Sequence, residues 1–243
     1  MSLKPISNHL VKSLKLKNLG AEYHSQYAGP NLLKFLAAPD YYFFNDKCEH
    51  IKNDQTTTVV VDRELMEHCP IVIKRYNTKN TWHAIRRTIR QSRAENCWIY
   101  AKKLEEMGVK VAPPIAFIQE YIKAGLKGRS WYLTEYVDAP SFATILSCEK
   151  KVTDEEKVIE QIIETLSFLW KHDISHGDTK NSNFLLFEDE IFVIDLDGMK
   201  QHKSAQDSAP SIRKDIARFL RNYRDKPELF NIASKKIRRA GFS

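Results

Sequence analysis

Glycine is scarce, eight residues in 243, and none lies between Gly29 and Gly108. That gap excludes a glycine-rich phosphate loop from most of the N-terminal half, since such loops rely on residues without a Cβ. Cysteine is scarce as well. Cys48, Cys69, Cys97 and Cys148 are widely spaced without a C-x-x-C pair, which excludes a zinc site or a disulfide framework and fits reduced cytosolic thiols. No apolar run approaches the length that crosses a bilayer. The stretch MSLKPISNHLVKSLKLKNLG lacks the continuous apolar core and small-residue cleavage site of a secretory signal, so the expected compartment is the cytoplasm. There is no internal repeat and no low-complexity tract.

What is present suffices for one good core or two small lobes, at 42% hydrophobic residues. A formal charge of +7 points to anionic partners. A nucleotide fits, nucleic acid or an anionic membrane surface is open on charge alone, and a solvated basic surface is the plain alternative.

The chemistry is concentrated in ISHGDTKNSNFLLFEDEIFVIDLDGMK, from Ile174 to Lys200. His176-Gly177-Asp178-Thr179-Lys180-Asn181-Ser182-Asn183 precedes two short apolar runs, Phe184 to Phe187 and Ile191 to Ile194, joined by the acidic turn Glu188-Asp189-Glu190. Asp195 follows the second run. This is the layout of a phosphoryl-transfer loop, H-x-D-x-K-x-x-N, then a hairpin ending in Asp. Such chemistry needs accurately placed charge more than covalent help. Asp178 would orient or accept the proton of the attacking hydroxyl, and Lys180 would reach the transferring phosphate. Asn183 and Asp195 would hold Mg²⁺, which prefers oxygen ligands. A polar loop with an Asx-turn is the bland reading; four such residues at these offsets weigh against it.

Elsewhere the pattern supplies the rest of an ATP site. Residues 8–19 read either as a short basic amphipathic helix or as a flexible extension packed on the body. β-like runs follow at Tyr41–Phe44, Thr56–Val61 and Ile71–Tyr76. The third carries Lys74 in IVIKRY, close to the V-A-I-K strand whose lysine neutralises nucleotide phosphates. In place of a glycine-rich loop, the turn Lys52–Thr56 would grip phosphate through backbone amides and Thr hydroxyls. A long helix is expected over residues 80–107, with Glu95 as partner of Lys74 and Glu105 and Glu106 on the surface. Its Arg86, Arg87, Arg90 and Arg93 form either a solvated face or a patch for an anionic acceptor. Gly108 ends the helix. Strands at Ile115–Ile118 and Trp131–Val137 lead to the linker Asp138-Ala139-Pro140, where the backbone of Glu135 and Val137 would bond the adenine edge. Thr153 with Glu156 reads as a capping box opening a helix with a broad apolar stripe. A polar segment to Pro210 precedes a helix over Ser211–Tyr223. There Asp215 is either a buttress of the catalytic loop or a carboxylate for the helix dipole, and the basic tail Lys235–Arg239 could touch an anionic surface.

IKRYNTKNTWHAIRRTIRQSRAENCW, HGDTKNSNFL and VIDLDGMK together resemble the bacterial lipopolysaccharide core kinase family of the Kdo/WaaP type, over residues 41–223. The resemblance implies an α+β, two-lobed protein-kinase-like fold, with an antiparallel-sheet N-lobe carrying one long helix and a mainly helical C-lobe. The implied division is an N-terminal extension over 1–40, an N-lobe over 41–137 and a C-lobe over 138–243. It also implies ATP and Mg²⁺ as cofactors, and as acceptor a sugar, Kdo or heptose, of a lipopolysaccharide core or lipid-A-linked molecule at the cytoplasmic face of the inner membrane. No nucleic-acid partner is expected. By position, Asp178 and Lys180 are catalytic, Lys74, Glu95, Glu135 and Val137 bind ATP, Asn183 and Asp195 hold metal, and His176 and Asp215 give structural support. Departures from protein kinases include Gly177 where many have Arg, Asp195-Leu196-Asp197-Gly198 in place of D-F-G, no A-P-E motif, and only 45 residues after Gly198. They favour a small-molecule or glycolipid acceptor. A protein kinase, a small kinase of the tRNA-modification type and a non-catalytic nucleotide-binding scaffold are the alternatives.

Overall fold

The computed structural model describes residues 10–43, 48–66, 68–77, 91–122, 125–148 and 154–242. It is a mixed α/β structure of two compact units, residues 1–107 with 112–136 and residues 108–111 with 137–243.

The first unit is built on a seven-stranded antiparallel sheet: β1 (Val11–Lys15), β2 (Leu19–His24), β3 (Glu49–Asn53), β4 (Thr57–Asp62), β5 (Ile71–Tyr76), β6 (Pro114–Tyr121) and β7 (Lys127–Glu135). The order is β1-β2-β6-β7-β5-β4-β3. The central strands read as near-continuous apolar runs because both their faces are covered. One face carries Leu19, Ala21, Tyr23, Ile71, Ile73, Ile118 and Trp131, buried in one cluster with Leu32, Phe35 and Leu36 of α1 (Pro30–Ala37). The opposite face meets α3 (Arg93–Glu106), where Tyr76 Oη lies 3.3 Å from Cys97 Sγ and Trp98 Nε1 donates to Glu22 at 2.9 Å. Side chains alternate along β5, so Lys74 shares the α3 side with Tyr76. The edge strand β3 is exposed throughout, and its Glu49, His50 and Lys52, with a bulge between His50 and Lys52, discourage further pairing.

Residues 11–24 are strands of this sheet, which corrects the helix-or-extension reading of 8–19. Leu16 N donates to Leu19 O at 2.8 Å across Lys17-Asn18, a two-residue hairpin turn, and the pairing decides the conformation. The half-buried Val11 and Leu14 have a spacing that suits a helix turn equally well. Tyr41 also departs from its expected strand. It lies in α2 (Pro39–Phe43), where Pro39 presets the helical φ and Asp40, in the first turn, pairs with Arg75 and Arg129 of the sheet. The long helix begins at α3, with Ser92 and Glu95 forming a reciprocal capping box, and Gly108 ends it at φ +79°. Arg86, Arg87 and Arg90 lie outside the described residues. Arg93 is not part of an open patch, because its guanidinium stacks 4.4 Å from the Tyr76 ring centroid and donates to Thr57 Oγ1 at 2.9 Å.

The second unit contains α4 (Phe142–Ser147), α5 (Glu155–Lys171), β8 (Ile174–Ser175), the hairpin β9 (Phe184–Phe187)–β10 (Glu190–Val193), β11 (Lys200–Gln201), α6 (Ala205–Arg221) and α7 (Pro227–Arg239). The α5 stripe from Val158 to Trp170 is buried as its periodicity requires. Asp154 caps α5 by accepting from Glu156 N and Lys157 N, in the place expected of Thr153, which lies outside the described residues. The hairpin turns on Glu188 and Asp189, both at positive φ. Helix α6 starts earlier than Ser211, because Ser204 caps Asp207 N, and Pro210 lies inside it. The basic tail is a packed helix: Ile237 is buried, and Lys236 pairs with Glu160 and Glu156 of α5.

Candidate active site

Two short strands frame the loop of the second unit. β8 delivers His176, and its antiparallel partner β11 follows the Asp195–Gly198 turn. Between them the loop is held from α6 by one buried carboxylate. Asp215, 2% exposed, accepts from His176 N at 2.7 Å, Gly177 N at 2.9 Å and Trp170 Nε1 at 3.3 Å, and its backbone carbonyl takes Thr179 Oγ1 at 2.6 Å. The buttress role therefore has a geometry. The His176 amide, which would otherwise be orphaned in the core, finds its acceptor there.

His176 is fully buried and its Nδ1 accepts from Asp178 N at 3.2 Å, so the ring proton resides on Nε2. Burial lowers its pKa below the ordinary value, against the opposing pull of Asp215, Asp195, Asp178 and the Ile194 backbone. A neutral ring suits a residue that props the loop. Gly177 sits at φ +84°, and a Cβ there would lie 2.6 Å from Gly198 O. The absence of Arg at this position thus has a steric cause, since the two turns touch through their backbones.

Asp178 sits between two cations: Arg218 donates to Oδ1 at 2.7 Å and Lys180 Nζ approaches Oδ2 at 3.3 Å. Its side chain is 24% exposed, so it is oriented yet reachable. Asn183 Nδ2 donates to the Asp178 carbonyl at 2.8 Å, which assigns the amide orientation and turns Oδ1 away as a free-standing oxygen donor. Ile194 N, one residue before Asp195, donates to Asn183 O at 3.0 Å. Asp195 adopts the left-handed region at φ +61°, an uncommon conformation for a non-glycine residue and one enriched at functional turns.

Arg218 and Asn222 are the residues sequence reasoning missed. Asn222 donates to Thr179 O at 3.0 Å and accepts from Asn181 N at 3.4 Å. Their signal was present: Asp215, Arg218 and Asn222 fall at i, i+3 and i+7, a polar line along α6 and its C-cap beside the apolar Ile212, Ile216 and Phe219.

In the first unit, Lys74 lies mid-strand on β5, opposite Tyr132 of β7 and Val59 of β4. Glu95, the expected partner of Lys74, pairs with Lys127 Nζ at 2.9 Å. Glu95 stands at the first turn of α3, where its carboxylate also accepts from Ser92 N at 3.2 Å. Glu135 N donates to Pro113 O at 2.9 Å, and Pro113 has no N–H to return, which leaves the Glu135 carbonyl without that ladder bond. The Glu135 carboxylate accepts from Tyr27 Oη at 2.7 Å. In the second unit the Val137 carbonyl accepts from Ala139 N, and among the described residues its amide meets no partner.

Two expectations in the first unit need correcting. The β3–β4 turn does not offer the amides of Thr56 and Thr57, because both already donate to Asp54 Oδ1 at 2.7 Å, as does Thr56 Oγ1. These bonds hold the Asp54 carboxyl well below the usual carboxylate range. Glu105 is not a surface residue. Its Oε2 is buried without a hydrogen-bond partner among the described residues, and burial, with Glu106 and Glu135 nearby, raises its pKa to about 7.

Residues 47–236 match the family described as "Lipopolysaccharide kinase (Kdo/WaaP) family". A match over that length makes the chain a kinase, a phosphotransferase by class. It belongs to the lipopolysaccharide kinase (Kdo/WaaP) family. A solved structure, "WaaP in complex with acyl carrier protein", is similar at 16% identity with a TM-score of 0.45, over 79% of this chain and 87% of that one. No curated protein sequence matches. No helix among the described residues is long and apolar enough to cross a membrane.

Proposed function

We propose that the protein transfers the γ-phosphoryl group of ATP to a hydroxyl of an inner-core sugar, Kdo or heptose, of lipopolysaccharide, on a two-lobed protein-kinase-like fold. The observation that carries this reading is Asp178, fixed between Arg218 and Lys180 in a loop whose Asn183 donates to the Asp178 carbonyl. Asp178 orients the acceptor hydroxyl and takes its proton as the oxygen attacks phosphorus. Lys180, 59% exposed, shifts its charge from Asp178 toward the transferring phosphate. Lys74 neutralises the nucleotide phosphates, with Glu95 and Lys127 ordering the start of α3. The Glu135 carbonyl and Val137 amide take the donor and acceptor of the adenine edge. The oxygen donors of Asn183 and Asp195 fit Mg²⁺, which when bound would offset phosphate charge. The acceptor places the enzyme at the cytoplasmic face of the inner membrane, as a peripheral visitor.

Mass spectrometry of lipopolysaccharide from cells with the gene, without it, and with Asp178→Asn tests this. Loss of one phosphate from an assigned core sugar in both the deletion and the variant supports the reading. An unchanged core contradicts it.

A further inference from the structure

Beside the catalytic loop, a cavity of about 270 Å³ is lined by Gly177, Ser211, Lys214, Asp215, Arg218 and Arg221, with Ala217. Its only carboxylate, Asp215, is turned into the core and saturated by loop donors. The accessible lining is therefore cationic. Lys214, Arg218 and Arg221 stand at i, i+4 and i+7, one face of α6, while Ile212, Asp215, Ile216 and Phe219 take the buried face. Like charges at these spacings oppose helix formation, and the one acidic residue of α6 among them, Asp215, is spent on the loop amides; a merely solvated face would mix signs. Arg218 also donates to Asp178 Oδ1, so the cavity adjoins the carboxylate that would meet the acceptor hydroxyl. Ala217 and Arg221 further form a shared wall with a second cavity of about 510 Å³, which continues past Arg224 to Leu220, Pro227 and the exposed Phe230.

Resting on the kinase reading above, we infer that this cavity is the acceptor subsite, and that it seats an oxyanion of the acceptor on Lys214, Arg218 and Arg221. The oxyanion is either the carboxylate of the reacting acidic sugar or a phosphate on an adjoining sugar. Arginine forks match both groups bidentately, and Lys214 adds a point charge. The anchored anion holds the neighbouring hydroxyl toward Asp178, converting binding energy into orientation.

Equilibrium binding tests this without requiring turnover. Full-length protein is titrated with two pairs of probes, Kdo against its neutral carboxamide and glucosamine 1-phosphate against glucosamine. The same titrations are run on Lys214→Ala/Arg221→Ala, with circular dichroism verifying its fold and ATP binding verifying the rest of the enzyme. The expected result is that one anionic probe binds about ten-fold more tightly than its neutral counterpart. That preference disappears in the double variant while ATP affinity stays the same, and the pair that shows it identifies the source of the oxyanion. The inference is overturned if neither anion is preferred, or if the preference survives in the double variant. Absence of phosphoryl transfer would count against the kinase reading but leave this binding result standing.

Discussion

Two aspartates, one in each unit, perform the same local task in opposite settings. Asp54, at the surface, collects three donors from residues two and three positions away. Asp215, buried, collects three donors from residues 38, 39 and 45 positions away. The first closes a turn that its own residues could form alone. The second ties the His176–Asn183 loop to a helix that folds against it only when the whole unit is assembled. Long-range, buried satisfaction is what a catalytic loop requires, because orientation must survive thermal motion and the approach of charged ligands.

Removing each partner tests that contrast. Asp215→Ala should have the largest effect. It leaves the buried His176 amide, the part-buried Gly177 amide and an indole N–H without acceptors, costing about 3 kcal/mol, and should abolish transfer even where the protein stays folded. Denaturant titration with activity at low temperature checks both parts. Next in size is Arg218→Ala, which frees the Asp178 carboxylate to rotate. We expect kcat to fall about ten-fold with ATP affinity unchanged, and Arg218→Lys to recover part of the loss. Equal damage by Ala and Lys to ATP binding would show that Arg218 acts structurally.

Glu105 supplies a third case, a half-buried carboxylate without donors among the described residues. Its pKa rises from 4.5 to about 7, so between those values the folded state holds a proton that the unfolded state has lost. Stability from this group is therefore full below pH 4.5 and is lost as pH climbs toward 7. Glu105→Gln should raise stability at pH 8 by about 1 kcal/mol, or roughly 2–4 °C in Tm, and change nothing at pH 4. Thermal melts at the two pH values decide it; a gain at both would mean that packing, not ionisation, is responsible. The smallest effect belongs to Asp54→Ala, which should shift Tm by less than about 2 °C. It should also leave ATP affinity within about two-fold, since the turn is given no part in holding the nucleotide. A much tighter ATP complex would indicate that Asp54 competes with phosphate for the Thr56 and Thr57 amides.

The same contrast explains what could be read from sequence. The loop and hairpin from His176 to Asp195 were legible because their residues are contiguous, so composition and spacing appear together. β5, with Lys74, was legible because a central strand has a plain apolar signature. The Lys127–Glu95 pair and the Arg218–Asp178 pair join residues 32 and 40 positions apart, and no local pattern declares which cation will close on which acid. The β1–β2 hairpin was missed for another reason. Half-buried edge residues carry a weak periodicity, and only pairing with β6, a hundred residues on, settles it as sheet. Glu105 looked exposed because charged residues at helix ends usually are, whereas tertiary packing buried its Oε2.

The most direct measurement is transfer of labelled γ-phosphate from ATP by purified protein to Kdo- and heptose-terminated core acceptors, beside Asp178→Ala and Asp195→Ala. We predict label on a core sugar with the unmodified chain. Asp178→Ala should lower kcat by about 10²-fold or more while still binding Mg-ATP, and Asp195→Ala should lose Mg-dependent nucleotide binding. Label appearing only on protein, with no core acceptor modified, would contradict the assignment of a sugar kinase. Equal loss of Mg-ATP binding in the two variants would contradict the roles given to Asp178 and Asp195.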